Sequence, residues 1–441
     1  MKVIVNPPHD AWSKLTRRPA QKFKKIEAIV EPILKKVKKK GDSALRHFSL
    51  EYDHVELDRI QVTKEEFREA TERVAPQLKE AIQVAKVNIE TFHEAQRTPP
   101  LEVETMPGVR CMRRSVPIQK VGLYIPGGTA PLFSTVLMTG IPARIAGCQE
   151  IILCTPCNRR GQIHPAILYT AQLIGIDKVF KVGGAQAIAA MAFGTETIPS
   201  VDKIFGPGNQ YVTVAKQLIS KYRVAIDMPA GPSEVAILAD DSADPAFVAA
   251  DLLSQAEHGV DSQVVLVSTS ERLVKETKEA MKIQLRQLPR QEIAREALSN
   301  SLAFVVSSLQ EGYDLLNEYA AEHLIVATRQ PEQAIAHIQN AGSVFLGHYT
   351  PESAGDYASG TNHTLPTNGF ARSYSGISLD SYVKKITYQE ITPEGLTKLG
   401  PSVETMAAAE QLDAHKNAVS IRLKKIAQHS VASSNTKNTV S

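Results

Sequence analysis

Cysteine is scarce. Four residues among 441, Cys111, Cys148, Cys154 and Cys157, are too few for a disulfide framework and fit a reducing compartment, so a cytoplasmic protein is expected. Long apolar runs are missing too: no stretch approaches the roughly 20 residues that would span a bilayer. The opening Met1-Lys2-Val3-Ile4-Val5 is cut short by Asn6-Pro7-Pro8, before the apolar core of a signal peptide could form, and no membrane partner is expected. Nor does charge of one sign prevail. Fifty Lys plus Arg against 47 Asp plus Glu leave +3, which supplies no field for gathering nucleic acid or anionic lipid. The one basic run, Lys35-Lys36-Val37-Lys38-Lys39-Lys40, reads as a solvated helix C-terminus, where cations complement the macrodipole. A solenoid repeat and a G-x-G-x-x-G fingerprint are also absent.

What remains is an ordinary globular composition, 43% hydrophobic and 22% charged, long enough for two to four domains. From Arg18 to Gln96, apolar positions such as Phe23, Ile26, Val30, Ile33, Leu34 and Val37 recur at helical spacing, with Gly41 closing one element; this predicts helical hairpins. After Pro99-Pro100, short apolar strands alternate with glycine turns and helices, near 121–125, 151–154, 179–182 and 203–205, and again near 235–238, 264–267, 303–306, 324–326 and 344–346. Such alternation is the βαβ signature of a parallel sheet. The fold class expected is α/β: two Rossmann-like, incomplete, doubly wound parallel-sheet domains with a helical N-terminal and a small C-terminal extension. The predicted boundaries are 1–100 for a helical segment, 101–234 for the first α/β domain and 235–375 for the second. Residues 376–441 form a small C-terminal domain whose polar tail, from His429, is expected to be disordered. Residues 350–375, rich in Gly, Ser, Thr and Asn, look like a functional loop. The C-terminal piece has too few residues to bury a core alone and must dock on something.

Cys154-Thr155-Pro156-Cys157 has the C-x-x-C form, but with no second pair it reads as one buried and one loop cysteine. The turns Gly127-Gly128, Gly183-Gly184 and Gly206-Pro207-Gly208 each follow a strand and precede a helix, where backbone N–H groups can approach a phosphate. Glycine turns are also often purely structural. A helix beginning at Asp244-Pro245, an N-cap followed by proline at its first position, carries Gln255 and His258 on one face of its last turn. With Asp356, in the glycine-rich loop, and His415, in a helical stretch, they offer two imidazoles, two oxygens and no thiolate, a donor set for zinc or manganese that leaves positions open for a substrate. Their convergence is an assumption at this level. Glu322-His323 should sit at a helix-to-strand turn on a pocket rim, where carboxylate and imidazole can act as proton acceptors.

Several long blocks give the sequence a family resemblance: Val121-Gly122-Leu123-Tyr124-Ile125-Pro126-Gly127-Gly128, Val182-Gly183-Gly184-Ala185-Gln186-Ala187-Ile188-Ala189, Phe205-Gly206-Pro207-Gly208-Asn209 and Pro229-Ala230-Gly231-Pro232-Ser233-Glu234. Others are Leu253-Ser254-Gln255-Ala256-Glu257-His258-Gly259, Ala321-Glu322-His323-Leu324, Glu352-Ser353-Ala354-Gly355-Asp356-Tyr357 and Met406-Ala407-Ala408-Ala409-Glu410-Gln411-Leu412. Together, over about residues 20 to 428, they resemble the histidinol dehydrogenases, enzymes of the last steps of histidine biosynthesis. The resemblance implies that Gln255, His258, Asp356 and His415 hold one Zn2+ per subunit, that Glu322 and His323 are the acid/base residues, and that Tyr124, Gln186 and Asn209 contact NAD. It implies that Ser233, His363 and Glu410 contact L-histidinol together with the metal ligands and His323. It also implies a homodimer in which the C-terminal segment of one chain completes the site of the other. The chemistry implied is oxidation of L-histidinol through L-histidinal to L-histidine with two NAD.

From the residues alone other classes stay open. A zinc hydrolase would use Glu322 to deprotonate metal-bound water and turn over without NAD. A related zinc- and NAD-dependent dehydrogenase could act on another small diol or amino alcohol; Glu410 and His363, which the resemblance assigns to the histidinol moiety, weigh against it. A nucleic-acid-binding protein would rest on the lysine run alone.

Overall fold

The computed structural model describes residues 1–18, 23–127, 130–229 and 231–437. Gly128 and Ala230, in two of the family-like blocks, lie outside the described residues, as does the tail beyond Lys437. The chain forms two compact units, one of Met1–Gln96 with Ile118–Tyr382, the other of Arg97–Pro117 with Val383–Ser441.

The first unit is α/β, with two parallel sheets. In the five-stranded sheet the order is Lys178–Phe180, Glu150–Cys154, Lys120–Tyr124, Lys203–Phe205, Ala225–Ile226. In the six-stranded sheet it is Lys2–Val5, Leu302–Val305, Gln263–Ser268, Glu234–Ala239, Ala321–Ala327, Ala341–Leu346. Both follow from sequence. Strands covered on both faces read as nearly continuous apolar runs, and Glu234–Ala239, Gln263–Ser268 and Ala321–Ala327 are buried along their whole length. Alternate residues feed opposite cores: Val235 and Ile237 pack toward the helices Pro245–Ala256 and Glu271–Leu285, Ala236 and Leu238 toward Trp12 and the helix Leu309–Tyr319, as the two-residue strand period requires.

The predicted N-terminal helices are present as Phe23–Asp53, Lys64–Arg73 and Pro76–Glu94. Gly41 does close one element: its φ of 49° and ψ of −131° break the first helix in two. These helices are no separate domain, because Ile26, Val30, Ile33 and Leu34 share a core with Ile152, Ile188 and Val212 of the five-stranded layer. Lys35 pairs with Glu31, and Lys38 lies over Phe193 and Tyr222.

Four strands, one at the N-terminus and three in an antiparallel sheet, went unpredicted and change the boundaries. Lys2–Val5 is an edge strand of the six-stranded sheet rather than part of a helical segment. The hairpin Leu101–Met106/Val109–Pro117 pairs antiparallel with Val383–Ile391, so residues 101–117 belong with the C-terminal segment and not with the first α/β layer. The second unit continues with the helices Pro393–Ala409 and Asp413–Lys437. The latter carries the chain in helical form through the stretch expected to be a disordered tail, as far as Lys437. Between 350 and 375, the expected loop contains a short helix, Glu352–Tyr357. Among the described residues no helix is long and apolar enough to cross a membrane.

Gly41 supplies a test of the fold. An added Cβ would collide with the Glu196 carboxylate, which accepts from the Asp42 N–H at 2.7 Å, in a backbone region unfavourable to any side chain. Gly41→Ala should therefore lower stability by about 1–3 kcal/mol in urea denaturation.

Candidate active site

Two features of the first unit gather the predicted residues other than Glu410 and His415, which belong to the second unit. One is a cleft of about 1430 Å³ at the C-terminal ends of the five-stranded sheet, beside Lys120–Tyr124, where the strand order reverses. Ligands of open α/β sheets settle in such a crevice. Tyr124, Gln186 and Asn209 all line it, with Gly127 and Gly184. The helices Gly184–Phe193 and Gln210–Ile219 begin at its wall and present the positive ends of their dipoles. The buried Tyr124 hydroxyl accepts from the Gly184 N–H at 3.0 Å, and burial pushes its pKa up to about 12. Asn209 caps its helix, Oδ1 accepting from the Tyr211 and Val212 N–H groups, which leaves its amide nitrogen free to donate.

The turn that carries Asn209 is braced from both sides. Lys216 and Asp227, both almost fully buried, form an ion pair. Lys216 Nζ donates to the Gly206 carbonyl at 2.8 Å, and Asp227 Oδ2 accepts the Gly206 N–H at 2.8 Å. Gly206 has φ +123°, and a Cβ there would strike the Tyr124 carbonyl, so only glycine fits. Cys154 ends its strand fully buried and Cys157 is partly buried, both free; burial pushes the Cys157 thiol up to about 11, which suits no nucleophile.

The second feature lies at the N-terminal ends of the six-stranded sheet. Glu322 and His323 are the second and third residues of the strand Ala321–Ala327, not of a turn, and they are buried, not on a rim. The helix before them ends at Tyr319 because Ala320 adopts left-handed backbone, φ 54°, so extended structure starts at Ala321, three residues sooner than the strand expected from Leu324. Glu322 Oε2 accepts the Glu234 N–H at 2.9 Å. His323 Nδ1 lies 3.0 Å from Gln255 Nε2 and 3.2 Å from the Glu234 carbonyl, while Nε2 lies 3.2 Å from Asp356 Oδ1. Burial pushes the Glu322 carboxyl up to about 8. Burial opposes a charge on His323, but Glu322, Asp356 and Glu352 outweigh it and raise its pKa to about 10. Asp356 loses some ionisation to burial, yet His323 holds it below the usual carboxylate range.

Asp356 belongs to the short helix Glu352–Tyr357 rather than to a loop. Gln255 is in the last turn of Pro245–Ala256, whose Asp244 cap and first-position proline are as predicted. His258 follows just beyond and is exposed, and desolvation lowers its pKa against the pull of Asp356. His363 donates from Nδ1 to the Asp356 carbonyl at 2.8 Å and meets Thr135 Oγ1 through Nε2 at 3.2 Å; burial keeps it neutral by lowering its pKa. Ser233 is half-buried immediately before Glu234. Glu410 and His415 are exposed residues of the second unit, at the end of Pro393–Ala409 and near the start of Asp413–Lys437.

Sequence reasoning missed Glu352. Buried beside Ser254 and 3.3 Å from Gln255 Nε2, it is raised to about 7 by burial; its spacing of four residues from Asp356 on one helix face was the available signal. Among the described residues no three His, Cys, Asp or Glu side chains form a metal site by themselves. Gln255 Oε1, however, is buried without a hydrogen-bond partner, while its Nε2 is spent on His323 and Glu352. Such an orphaned oxygen, beside a charged carboxylate and an imidazole, fits a cation ligand.

The histidinol dehydrogenase family profile matches residues 16–423. The chain belongs to the histidinol dehydrogenase family. It is 59% identical to the histidinol dehydrogenase of Bacteroides thetaiotaomicron over 96% of this chain and 99% of that one. With the Pectobacterium atrosepticum histidinol dehydrogenase it shares 53% identity over 93% and 92% of the two chains. The crystal structure of histidinol dehydrogenase from Elizabethkingia anophelis superposes with a TM-score of 0.95 at 54% identity, covering 97% of this chain and 98% of that one. The protein is accordingly an NAD-dependent oxidoreductase acting on a CH–OH group.

The Lys216–Asp227 pair sets a stability test for this histidinol dehydrogenase family member. Lys216→Met leaves Asp227 charged and buried without its partner and should cost about 3–5 kcal/mol in urea denaturation, because the Asn209 turn loses its brace.

Proposed function

We propose that the protein oxidises L-histidinol to L-histidine, through L-histidinal, in two steps that each reduce one NAD, the last steps of histidine biosynthesis. The observation that carries this reading is the buried cluster of Glu322, His323, Gln255 and Asp356, joined through His363 to the helix beside a dinucleotide-sized cleft, in a chain of this family. Gln255, His258 and Asp356, with His415 of the partner subunit in a homodimer, would hold one zinc ion. Tyr124, Gln186 and Asn209 would contact NAD, and Ser233, His363 and Glu410 the substrate, with Glu410 again from the partner subunit. When bound, the zinc would anchor the substrate's imidazole and amine and draw on the charge of Asp356, and NAD would accept the hydride of each step.

The remaining work falls to the chain's own groups. Glu322 Oε2 stands 3.7 Å from His323 Nδ1, beyond hydrogen-bond reach, so each handles its own proton. In the first step His323, once its own proton has left to solvent, takes the hydroxyl proton of the substrate, and Glu322, kept neutral by its raised pKa, gives its proton to solvent before the second. In the second, Glu322 as carboxylate takes a proton from the water that attacks the aldehyde, and the hydrate gives up its second hydride. Histidinol and one water thus become histidine, losing four electrons. Burial of the dyad keeps bulk water from the aldehyde.

Purified protein given L-histidinol and excess NAD should form two NADH per substrate consumed, lose this activity on chelation and regain it with zinc. Glu322→Gln and His323→Asn should each lower kcat by about 10²–10⁴-fold, with histidinal accumulating in the Glu322 variant. Turnover of another amino alcohol but not of histidinol would move the assignment to a related dehydrogenase, and amide hydrolysis without NAD would replace it with a hydrolase.

A further inference from the structure

The dyad does not hold itself in place. Both of its members lean on the backbone of one residue, Glu234: its N–H donates to Glu322 Oε2 at 2.9 Å, and its carbonyl lies 3.2 Å from His323 Nδ1. Glu234's own side chain points elsewhere, and it is only 1% exposed. Its carboxylate is met by Arg18 in a two-pronged pair, Nε to Oε1 and Nη2 to Oε2, both at 2.8 Å. Oε1 also accepts the Asn368 N–H at 3.0 Å. The same Arg18 Nη2 donates to the Ala320 carbonyl at 3.3 Å, and the guanidinium lies 3.9 Å from the centre of the Tyr319 ring. Tyr319 is tied in turn by its hydroxyl to Gln263 Oε1 at 3.0 Å.

Arg18 therefore grips both chain segments that must keep register for the dyad to exist. One is the start of Glu234–Ala239, whose peptide the dyad touches. The other is Ala320, held at φ 54° two residues before Glu322. A left-handed alanine costs about 1–2 kcal/mol, so the segment would relax without a restraint, and Arg18 supplies one at its carbonyl. We infer that Arg18 and Glu234 are positioning residues for the proton-transfer pair: the guanidinium–carboxylate fork fixes the Glu234 peptide and the Ala320 turn so that Glu322 and His323 present their acid/base atoms at a set spacing. The planar fork of arginine matches a carboxylate in two places at once, which lysine cannot do. This inference rests on the acid/base roles given to Glu322 and His323 above.

The test separates positioning from mere stability. In the double variant Arg18→Met/Glu234→Gln no buried charge is left unpaired, so folding should survive. Its Tm and zinc content should stay close to wild type and its KM for histidinol and NAD within about threefold, while kcat falls by about 10–10²-fold, since an ångström of misplacement can cost that much. Recovery of wild-type kcat together with wild-type Tm would overturn the inference, because a purely structural pair predicts that result. Should the double variant fail to fold, Arg18→Lys decides. It keeps the charge but not the fork, and it should fold with kcat lowered about tenfold; wild-type kcat in that variant would equally overturn the inference. His323→Asn and Glu322→Gln, measured alongside, tell the two claims apart. If they retain activity, the acid/base reading fails. If they lose it while Arg18→Lys and the double variant do not, only the positioning role fails.

Discussion

Parallel pairing of Glu234–Ala239 with Ala321–Ala327 is the constraint on which the site depends. It places His323 opposite Val235 and brings the first peptide of one strand against the second and third side chains of the other. A strand's first N–H has no ladder partner of its own, and burial makes an unpaired donor costly. Here the Glu322 carboxylate satisfies it. Fold and proposed chemistry thus share one hydrogen bond: the group that completes the sheet's accounting is the group we propose carries a proton, and burial is what raises that carboxyl to about 8.

Much of this was legible because it is written in local patterns. Val235, Ile237 and Leu238, or Val264 to Val267, can only be strands buried on both faces, and Asp244-Pro245 could only start a helix. The failures are equally physical. Residues 101–117 carry Glu102, Glu104, Arg110, Arg113 and Arg114 and bury little, and their third strand comes some 270 residues later, so no local window shows a sheet. Gly355 and the polar residues around it disguised the short helix that aims Asp356. The dyad was placed on a turn because nothing in the sequence announces that Ala320 takes up left-handed backbone.

The site itself was legible residue by residue but not as an arrangement. Gln255, Asp356, His323 and Glu322 were all singled out, and long contiguous motifs were needed to do it, since a Glu-His pair or a Gln-x-x-His pattern alone is common. What no motif displayed was the supporting layer. Arg18 is one basic residue in a polar stretch, and Glu352 one acid at a helix start. Their importance comes from being buried against charges that would otherwise be uncompensated, a property of the folded molecule alone.

The two halves of the site lie at opposite ends of their sheets. The nucleotide-sized cleft opens at the carboxyl ends of the five-stranded sheet, where helix N-termini and glycine turns can receive a phosphate. Glu322 and His323 sit at the amino ends of the six-stranded sheet, where free strand N–H groups can receive a carboxylate. Each chemistry occupies the sheet edge whose backbone complements it. Joining them requires an element that belongs to neither edge, and His363 is that element: one ring nitrogen on Thr135 of the helix beyond the cleft, the other on the backbone of Asp356. Because each nitrogen has a different partner, one accepting and one donating, the ring is locked in a single neutral tautomer and a single orientation. A neutral, fixed imidazole can span the two halves without adding a charge that would compete with His323 for Asp356.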